Sequence, residues 1–178
     1  AFLDGLDKTQ VETLTACYGG SGRWWVAAAE TGGALTLYRV DSQGSVRTVL
    51  TDTPPAGGTA PYITDFAAAP GYAVVCLADG AGSCVLQIVD GQSGDISATI
   101  RPSVVDYTFA VSGNQLYLRN RNAGTMDVYA LPSGEKADSF AIVPEAQEVA
   151  AYAVDGENQQ IVFLTMDGVF QAGFGSSV

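Results

Sequence analysis

An all-β chain of about four antiparallel, four-stranded repeats is what this sequence predicts. Three observations predict it. Short apolar runs alternate with polar, glycine-bearing turns, and the runs recur in one order along the chain. A signature of aromatic-Ala-Val-polar-Gly, read in Phe109-Ala110-Val111-Ser112-Gly113, returns 43 residues later in Tyr152-Ala153-Val154-Asp155-Gly156. With 178 residues, 47% of them hydrophobic, and a mean hydropathy of +0.17, the chain has the apolar material to bury a core, which excludes disorder.

The elements follow in order. The first run of each repeat closes on glycine: Ala16-Cys17-Tyr18-Gly19-Gly20, then Phe66 to Gly71, Tyr107 to Gly113 and Ala150 to Gly156. A second run follows each, namely Trp24–Ala27, Tyr72–Cys76, Leu116–Leu118 and Ile161–Leu164. The third runs are Leu35–Val40, Val85–Val89, Met126–Leu131 and Val169–Ala172. Polar turns at Asp41–Gly44, Asp90–Gly94 and Pro132–Glu135 lead to fourth runs at Val46–Leu50, Ile96–Ile100 and Ser139–Val143, and the fourth repeat has none. The repeats therefore fall at approximately 11–53, 61–102, 104–143 and 148–178, within a single domain. Two segments carry helical signals: Pro144 heads a run of good helix formers, and Thr9-Gln10-Val11-Glu12 has capping-box spacing. The repeat assigns Ala150–Val154 to a strand, which leaves Pro144–Glu148 as at most one turn and the first ten residues as a short helix.

Four-stranded meanders recurring every ~40 to 50 residues are the signature of a β-propeller-like array. The segments Val85-Leu86-Gln87-Ile88-Val89-Asp90-Gly91-Gln92-Ser93-Gly94 and Val128-Tyr129-Ala130-Leu131-Pro132-Ser133-Gly134 resemble the broad bacterial propeller families related to the WD40, PQQ-like and YVTN repeats. The resemblance runs from Val11 onward and implies strand and turn chemistry rather than an activity. The WD dipeptide and Gly-His pair of WD40 repeats and the Trp-Gly motif of quinoprotein blades are absent, so no subfamily is implied. Ala1-Phe2-Leu3, broken off by Asp4-Gly5, is too short to supply the missing outer strand of the fourth repeat. The expectation is an incomplete, open propeller cut from a longer one, whose exposed blade faces self-associate or receive the missing blades. A β-sandwich is the alternative, although it gives no reason for the strands to repeat in register.

Charge and composition bound the function. Eight Lys plus Arg against 19 Asp plus Glu give a net charge of -11, which repels nucleic acid and anionic lipid surfaces. No apolar stretch approaches the ~18 to 20 residues of a membrane-spanning helix, so direct membrane insertion is not expected. The absence of His removes Ser-His-Asp and Cys-His catalysis and His-based zinc sites, and no metal or cofactor is expected. Cys17, Cys76 and Cys84 lie in apolar runs without a CxxC pair and read as small buried hydrophobes. A hairpin closed by Asp79–Ser83 would pair Ala78 with Cys84 and Cys76 with Leu86, so a disulfide there needs a shifted register. A composition rich in Gly, Ser, Thr, Ala and Asp and poor in Lys, in a chain opening at Ala1, points to an exported bacterial protein, extracellular or at the cell surface. Such a protein is expected to have shed a leader, and a lipid anchor would hold its full-length form at the surface.

Candidate site residues are few. In a propeller the first strand of each blade lines the central channel, which makes Asp65 and Asp106, at comparable repeat positions, candidate ligand contacts. Their ordinary role is to hydrogen-bond a turn or the local backbone. Trp24 and Trp25 are consecutive on a strand and point to opposite faces; burial of both between blades is expected, and an exposed one would offer a platform to a sugar or peptide. Asp90–Asp95 lacks the later Glu of a calcium loop and reads as a tight turn. Gly19-Gly20-Ser21-Gly22 and Gly80-Ala81-Gly82 lack the Lys-Ser/Thr ending of a phosphate loop. No catalytic residue is assigned, because a serine nucleophile would need Lys8 or Lys136 as its base. The expected function is a non-catalytic extracellular interaction or ligand-binding module for a protein or carbohydrate. A glycan-active propeller enzyme using carboxylates is the alternative if Asp65 and Asp106 converge, and a structural segment of a larger propeller is the third reading.

Overall fold

The structure is a computed structural model that describes residues 9–31, 34–52, 62–78, 84–102, 109–120, 123–142 and 149–174. Asp106, the first eight residues of the expected N-terminal helix, and the Asp79–Ser83 and Pro144–Glu148 turns lie outside the described residues. The described residues form four antiparallel sheets and no helix.

Each sheet is a meander of consecutive strands. The first contains β1 (Val11–Tyr18), β2 (Trp24–Glu30), β3 (Leu35–Val40) and β4 (Val46–Asp52); the second contains β5 (Tyr62–Ala69), β6 (Tyr72–Ala78), β7 (Cys84–Asp90) and β8 (Ile96–Ile100). The third contains β9 (Phe109–Ser112), β10 (Gln115–Asn120), β11 (Thr125–Ala130) and β12 (Lys136–Ala141). The fourth has three described strands, β13 (Val149–Asp155), β14 (Gln160–Thr165) and β15 (Gly168–Gly173). Among the described residues no strand is exchanged between sheets, which favours blades over a Greek-key sandwich, and the fold is all-β and propeller-like.

Several strands extend beyond or stop short of their apolar runs, and two of the differences have a clear physical reason. Thr9-Gln10-Val11-Glu12 is not a helix start: Thr9 and Gln10 form a turn and β1 begins at Val11, where alternating side-chain exposure fits a half-buried strand better than a helical stripe. The outer strand of the third repeat starts at Lys136 rather than Ser139, because Ala130 N–H donates to the Glu135 carbonyl (2.8 Å) and closes the turn at that point. An edge strand needs backbone pairing, not apolar side chains, so the hydrophobic run misplaced it.

The chain divides into two compact units, Ala1–Pro102 and Ser103–Val178. In the first unit the inner face of sheet one packs on sheet two through Trp25, Ala27, Leu35 and Leu37 on one side and Phe66, Ala73, Val75 and Leu77 on the other. The two sheets are also pinned at their ends, since Arg39 Nη1 donates to the Gly91 carbonyl (2.8 Å) and Arg47 Nη2 to that of Gln92 (3.0 Å). The first strands, β1 and β5, lie side by side. The second unit repeats the scheme, with Tyr117, Met126 and Val128 of sheet three against Ile161 and Phe163 of sheet four, and β9 beside β13.

The recurring glycine does different work in different repeats. Gly71 (φ 92°) and Gly113 (φ 57°) sit in two-residue hairpin loops, where the left-handed backbone excludes most side chains. Gly156 instead approaches the neighbouring sheet: a Cβ there would stand 2.9 Å from Tyr117 Oη and 3.1 Å from Ser112 Oγ, the hydroxyl to which its own N–H donates. Identical letters in the repeat thus answer to separate constraints.

Candidate functional site

Trp24 and Trp25 part company as consecutive strand residues must. Trp25 is 1% exposed in the core between sheets one and two, whereas Trp24 is 50% exposed. The expectation that both are buried is corrected here, because Trp24 is the first residue of β2 and stands at the end of the sheet, opposite Tyr18, the last residue of β1. The Tyr18 and Trp24 rings are 5.3 Å apart at 57°, so they form an open V rather than a flat stack, and Tyr18 is itself 54% exposed.

The connecting loop fixes this pair. Gly20, Ser21 and Gly22 all have positive φ (79°, 52° and 72°), and Gly22 N–H donates to Tyr18 Oη at 3.0 Å. Gly19 N–H reaches back to the Arg23 carbonyl and Arg23 N–H to that of Gly20, so the turn is closed by its own backbone. Ser21 in the left-handed region is a strained choice for a non-glycine residue. The result is two aromatic faces held open to solvent, with the exposed Leu14 on the same face of β1 and the exposed Arg23 preceding the tryptophan.

Asp65 lies on β5, half-buried, with its carboxylate accepting the N–H of Phe66 at 2.8 Å. Its charge bears on the thiol of Cys17 on the adjacent β1. Burial, with the Asp65 charge adding to it, pushes the Cys17 pKa up to about 12, so this free thiol stays protonated and inert at neutral pH. Cys76 and Cys84 are buried, and the register pairs Cys76 with Leu86 and Ala78 with Cys84, as the hairpin reading requires.

One polar cluster escaped the sequence reading. Asp127, buried on β11, accepts hydrogen bonds from Ser139 Oγ (2.7 Å) and Thr125 Oγ1 (3.3 Å) and pairs with Lys136 Nζ at 2.9 Å. Burial works against its charge, but these donors outweigh it and hold the carboxyl below the usual range, while the carboxylate hydrogen bond raises Lys136. A lysine held protonated is no general base, and Ser139 spends its proton on Asp127, so the cluster braces the outer strand instead of arming a nucleophile. A carboxylate inside the run Met126–Leu131 was the available signal. Asp90 forms the expected turn, accepting Gln92 N–H (2.7 Å) and Ser93 N–H (2.8 Å). Among the described residues no three His, Cys, Asp or Glu side chains gather as metal ligands.

No protein-family model matches the chain, and no curated protein sequence matches it. Among solved structures, BBS1N in complex with ARL6DN is similar over 94% of this chain and 53% of its own, with a TM-score of 0.53 at 12% identity. Apo AztD from Citrobacter koseri is similar over 77% of this chain and 37% of its own (TM-score 0.48, 22% identity), and a second AztD structure from the same organism over 79% and 37% (TM-score 0.48, 20% identity). The chain thus spans between about a third and about half of the length of these structures. What it shares with BBS1N is the propeller-like arrangement of antiparallel sheets.

Proposed function

We propose that this chain is a non-catalytic interaction module, displayed outside the cell, that recognises a protein or carbohydrate through the Tyr18–Trp24 face of sheet one. The observation that carries the reading is the pair itself: two half-exposed rings at a sheet end, preset by a loop with three successive positive φ angles and a hydrogen bond to the tyrosine hydroxyl. Rings fixed in advance lose little entropy on binding, and aromatic faces take both sugar C–H surfaces and peptide side chains. The fold is compatible with such a role, since the BBS1N structure was solved with the protein ARL6DN bound.

The test is a titration followed by tryptophan fluorescence, with soluble oligosaccharides and extracellular-protein peptides as probes. Trp25 is buried, so a ligand-induced change reports Trp24. Binding that, followed by isothermal titration calorimetry in the variants, survives in Trp24→Phe and is lost in Trp24→Ala supports the reading. A ligand whose affinity is indifferent to Trp24→Ala and Tyr18→Ala overturns it.

A further inference from the structure

Asp-Gly peptides recur along the chain, and Asp90-Gly91, Asp155-Gly156 and Asp167-Gly168 lie among the described residues. Such a peptide is open to ring closure, in which the glycine nitrogen attacks the aspartate side-chain carboxyl, because glycine has no side chain to obstruct the approach. Whether a folded chain permits the reaction depends on two groups. The nitrogen has to be released from its hydrogen bond, and the carboxyl has to be protonated and free to swing towards it.

At two of the three sites both groups are held. Gly91 N–H donates to the Gly71 carbonyl (2.8 Å), and the Asp90 carboxylate accepts Gln92 N–H (2.7 Å) and Ser93 N–H (2.8 Å). Gly156 N–H donates to Ser112 Oγ on the neighbouring sheet (3.0 Å), and the Asp155 carboxylate accepts the backbone N–H (3.1 Å) and Nδ2 (2.7 Å) of Asn158. These bonds hold both carboxyls below their usual range, Asp90 chiefly through Ser93 N–H and Asp155 chiefly through the Asn158 side chain, which makes the reactive protonated form scarce. Each glycine is also wedged, Gly91 against Trp25 and Gly156 against Tyr117 and Ser112.

Asp167-Gly168 is built differently. Asp167 is exposed in the two-residue hairpin loop between β14 and β15, beside Met166 at 90% exposure. A Cβ on Gly168 would meet nothing within 4 Å, and its φ is 146°. The bonds of this turn are local: Asp167 N–H donates to Thr165 Oγ1 (3.2 Å), that hydroxyl donates to the Gly168 carbonyl (3.4 Å), and Gly168 pairs with Thr165 across the same hairpin. Opening one turn releases Gly168, whereas releasing Gly91 or Gly156 disturbs the packing between two sheets.

We propose that Asp167 is a site of spontaneous isomerisation to isoaspartate in the folded protein, in preference to Asp90 and Asp155. The Gly168 nitrogen gives up its proton and bonds to Cγ of the protonated Asp167 carboxyl, the Cγ–OH bond breaks, and one water leaves a cyclic succinimide. Water then adds to either ring carbonyl. Opening at Cγ restores aspartate; opening at the backbone carbonyl leaves the chain running through Cβ and Cγ with a free α-carboxylate. The water lost is regained, and nothing is oxidised or reduced. The product has an extra backbone atom in the turn, so the closing pair Thr165–Gly168 loses its register and the buried Thr165 hydroxyl its partners. The inference does not rest on the Tyr18–Trp24 reading.

The experiment is prolonged incubation of the full 178-residue chain at mildly acid pH, with circular dichroism to establish that it stays folded. Digestion with an endoproteinase that cleaves before aspartate but not before isoaspartate, read by mass spectrometry, locates the conversion. Cleavage before Asp167 is expected to be lost at least ~10-fold faster than cleavage before Asp90 or Asp155, because a single hairpin opens far more often than a packed sheet end. In urea the three sites should convert at similar rates. The variant Asp167→Asn, whose ring closure expels ammonia instead of water, should convert in the folded chain almost as fast as in urea. Equal conversion at the three sites in the folded protein overturns the proposal. An Asp167 that stays unchanged while the urea-unfolded chain converts, or an Asn at that position strongly protected by folding, overturns it equally.

Discussion

Gly91 lies against the six-membered ring of Trp25, so closely that a Cβ on the glycine would stand 2.6 Å from Cη2 and 2.7 Å from Cζ2. The other end of the indole is closed too, because a Cβ at Gly19 would meet Nε1 at 2.6 Å. Trp25 is a wedge from sheet one fitted between two side-chain-free positions, one in its own loop and one in the second sheet. The carbonyl of Gly91 also accepts Arg39, so packing and polar contacts converge on one turn.

Gly91→Ala is therefore expected to destabilise the first unit by about 1–3 kcal/mol, the usual cost of overpacking a filled site. The ring has no room to retreat, since Gly19 blocks it. Urea unfolding followed by near-UV circular dichroism measures the loss; a midpoint equal to wild type would mean that the wedge adjusts freely.

The Asp127–Lys136 pair makes stability pH-dependent at both ends. The Asp127 carboxyl titrates below its ordinary 3.8, so its contribution is present above about pH 4 and is lost as pH falls through the folded value. Lys136 titrates above its ordinary 10.5, so its contribution is present below that and is lost as pH rises past it. Asp127→Asn is expected to cost about 1–2 kcal/mol at pH 7, for lost charge-assisted hydrogen bonds, and to flatten the acid limb. Lys136→Met should cost less, about 0.5 kcal/mol, because the lysine is half exposed and solvent screens it. Equal losses in the two variants, measured by chemical unfolding, would contradict this ranking.

Much of this fold was legible because period-two alternation and glycine-bearing turns are local properties. Leu35–Val40 and Ile96–Ile100 stand in the structure with the bounds their apolar runs imply. The misplaced outer strand at Lys136–Ala141 shows the limit: an edge strand is defined by backbone partners and carries polar side chains, which look like turn. The site was half legible. Alternation separates Trp24 from Trp25 onto opposite faces, but which face meets solvent at a sheet end is a tertiary property. The Asp127 cluster joins residues from adjacent strands, and the register that unites them depends on a bulge between Val128 and Tyr129. Asp65 turned out to act on Cys17, a neighbour only because β1 and β5 lie side by side.

Cys17 predicts an alkaline instability. Its thiol titrates near 12 in the folded chain against an ordinary 9.0, so the native state retains a proton that the unfolded chain gives up. Stability from this source is complete below about pH 9 and declines as pH rises toward 12. Cys17→Ala is expected to show a shallower loss of stability between those limits, read from thermal midpoints. At pH 8 the wild-type thiol should resist iodoacetamide in the folded state and react once unfolded; rapid alkylation of the native protein at Cys17 would refute the assignment.

The two adjacent tryptophans give the sharpest contrast. Trp25→Ala removes a fully buried ring and opens a cavity between two sheets, at an expected cost of about 3–5 kcal/mol. Trp24→Ala removes a ring that is half in water and packs chiefly on Tyr18, so the expected cost is about 1 kcal/mol, most of it the aromatic contact. Iodide quenching separates them without mutation: one tryptophan should be accessible and the other protected in the native protein, and Trp24→Phe should abolish the accessible fraction while leaving the fold intact. The stability cost and the binding cost then run in opposite directions along two consecutive residues, because strand alternation assigns Trp25 to the core and leaves Trp24 to whatever the protein meets. If both substitutions destabilise the chain equally, Trp24 belongs to the core and the proposed recognition face is lost with it.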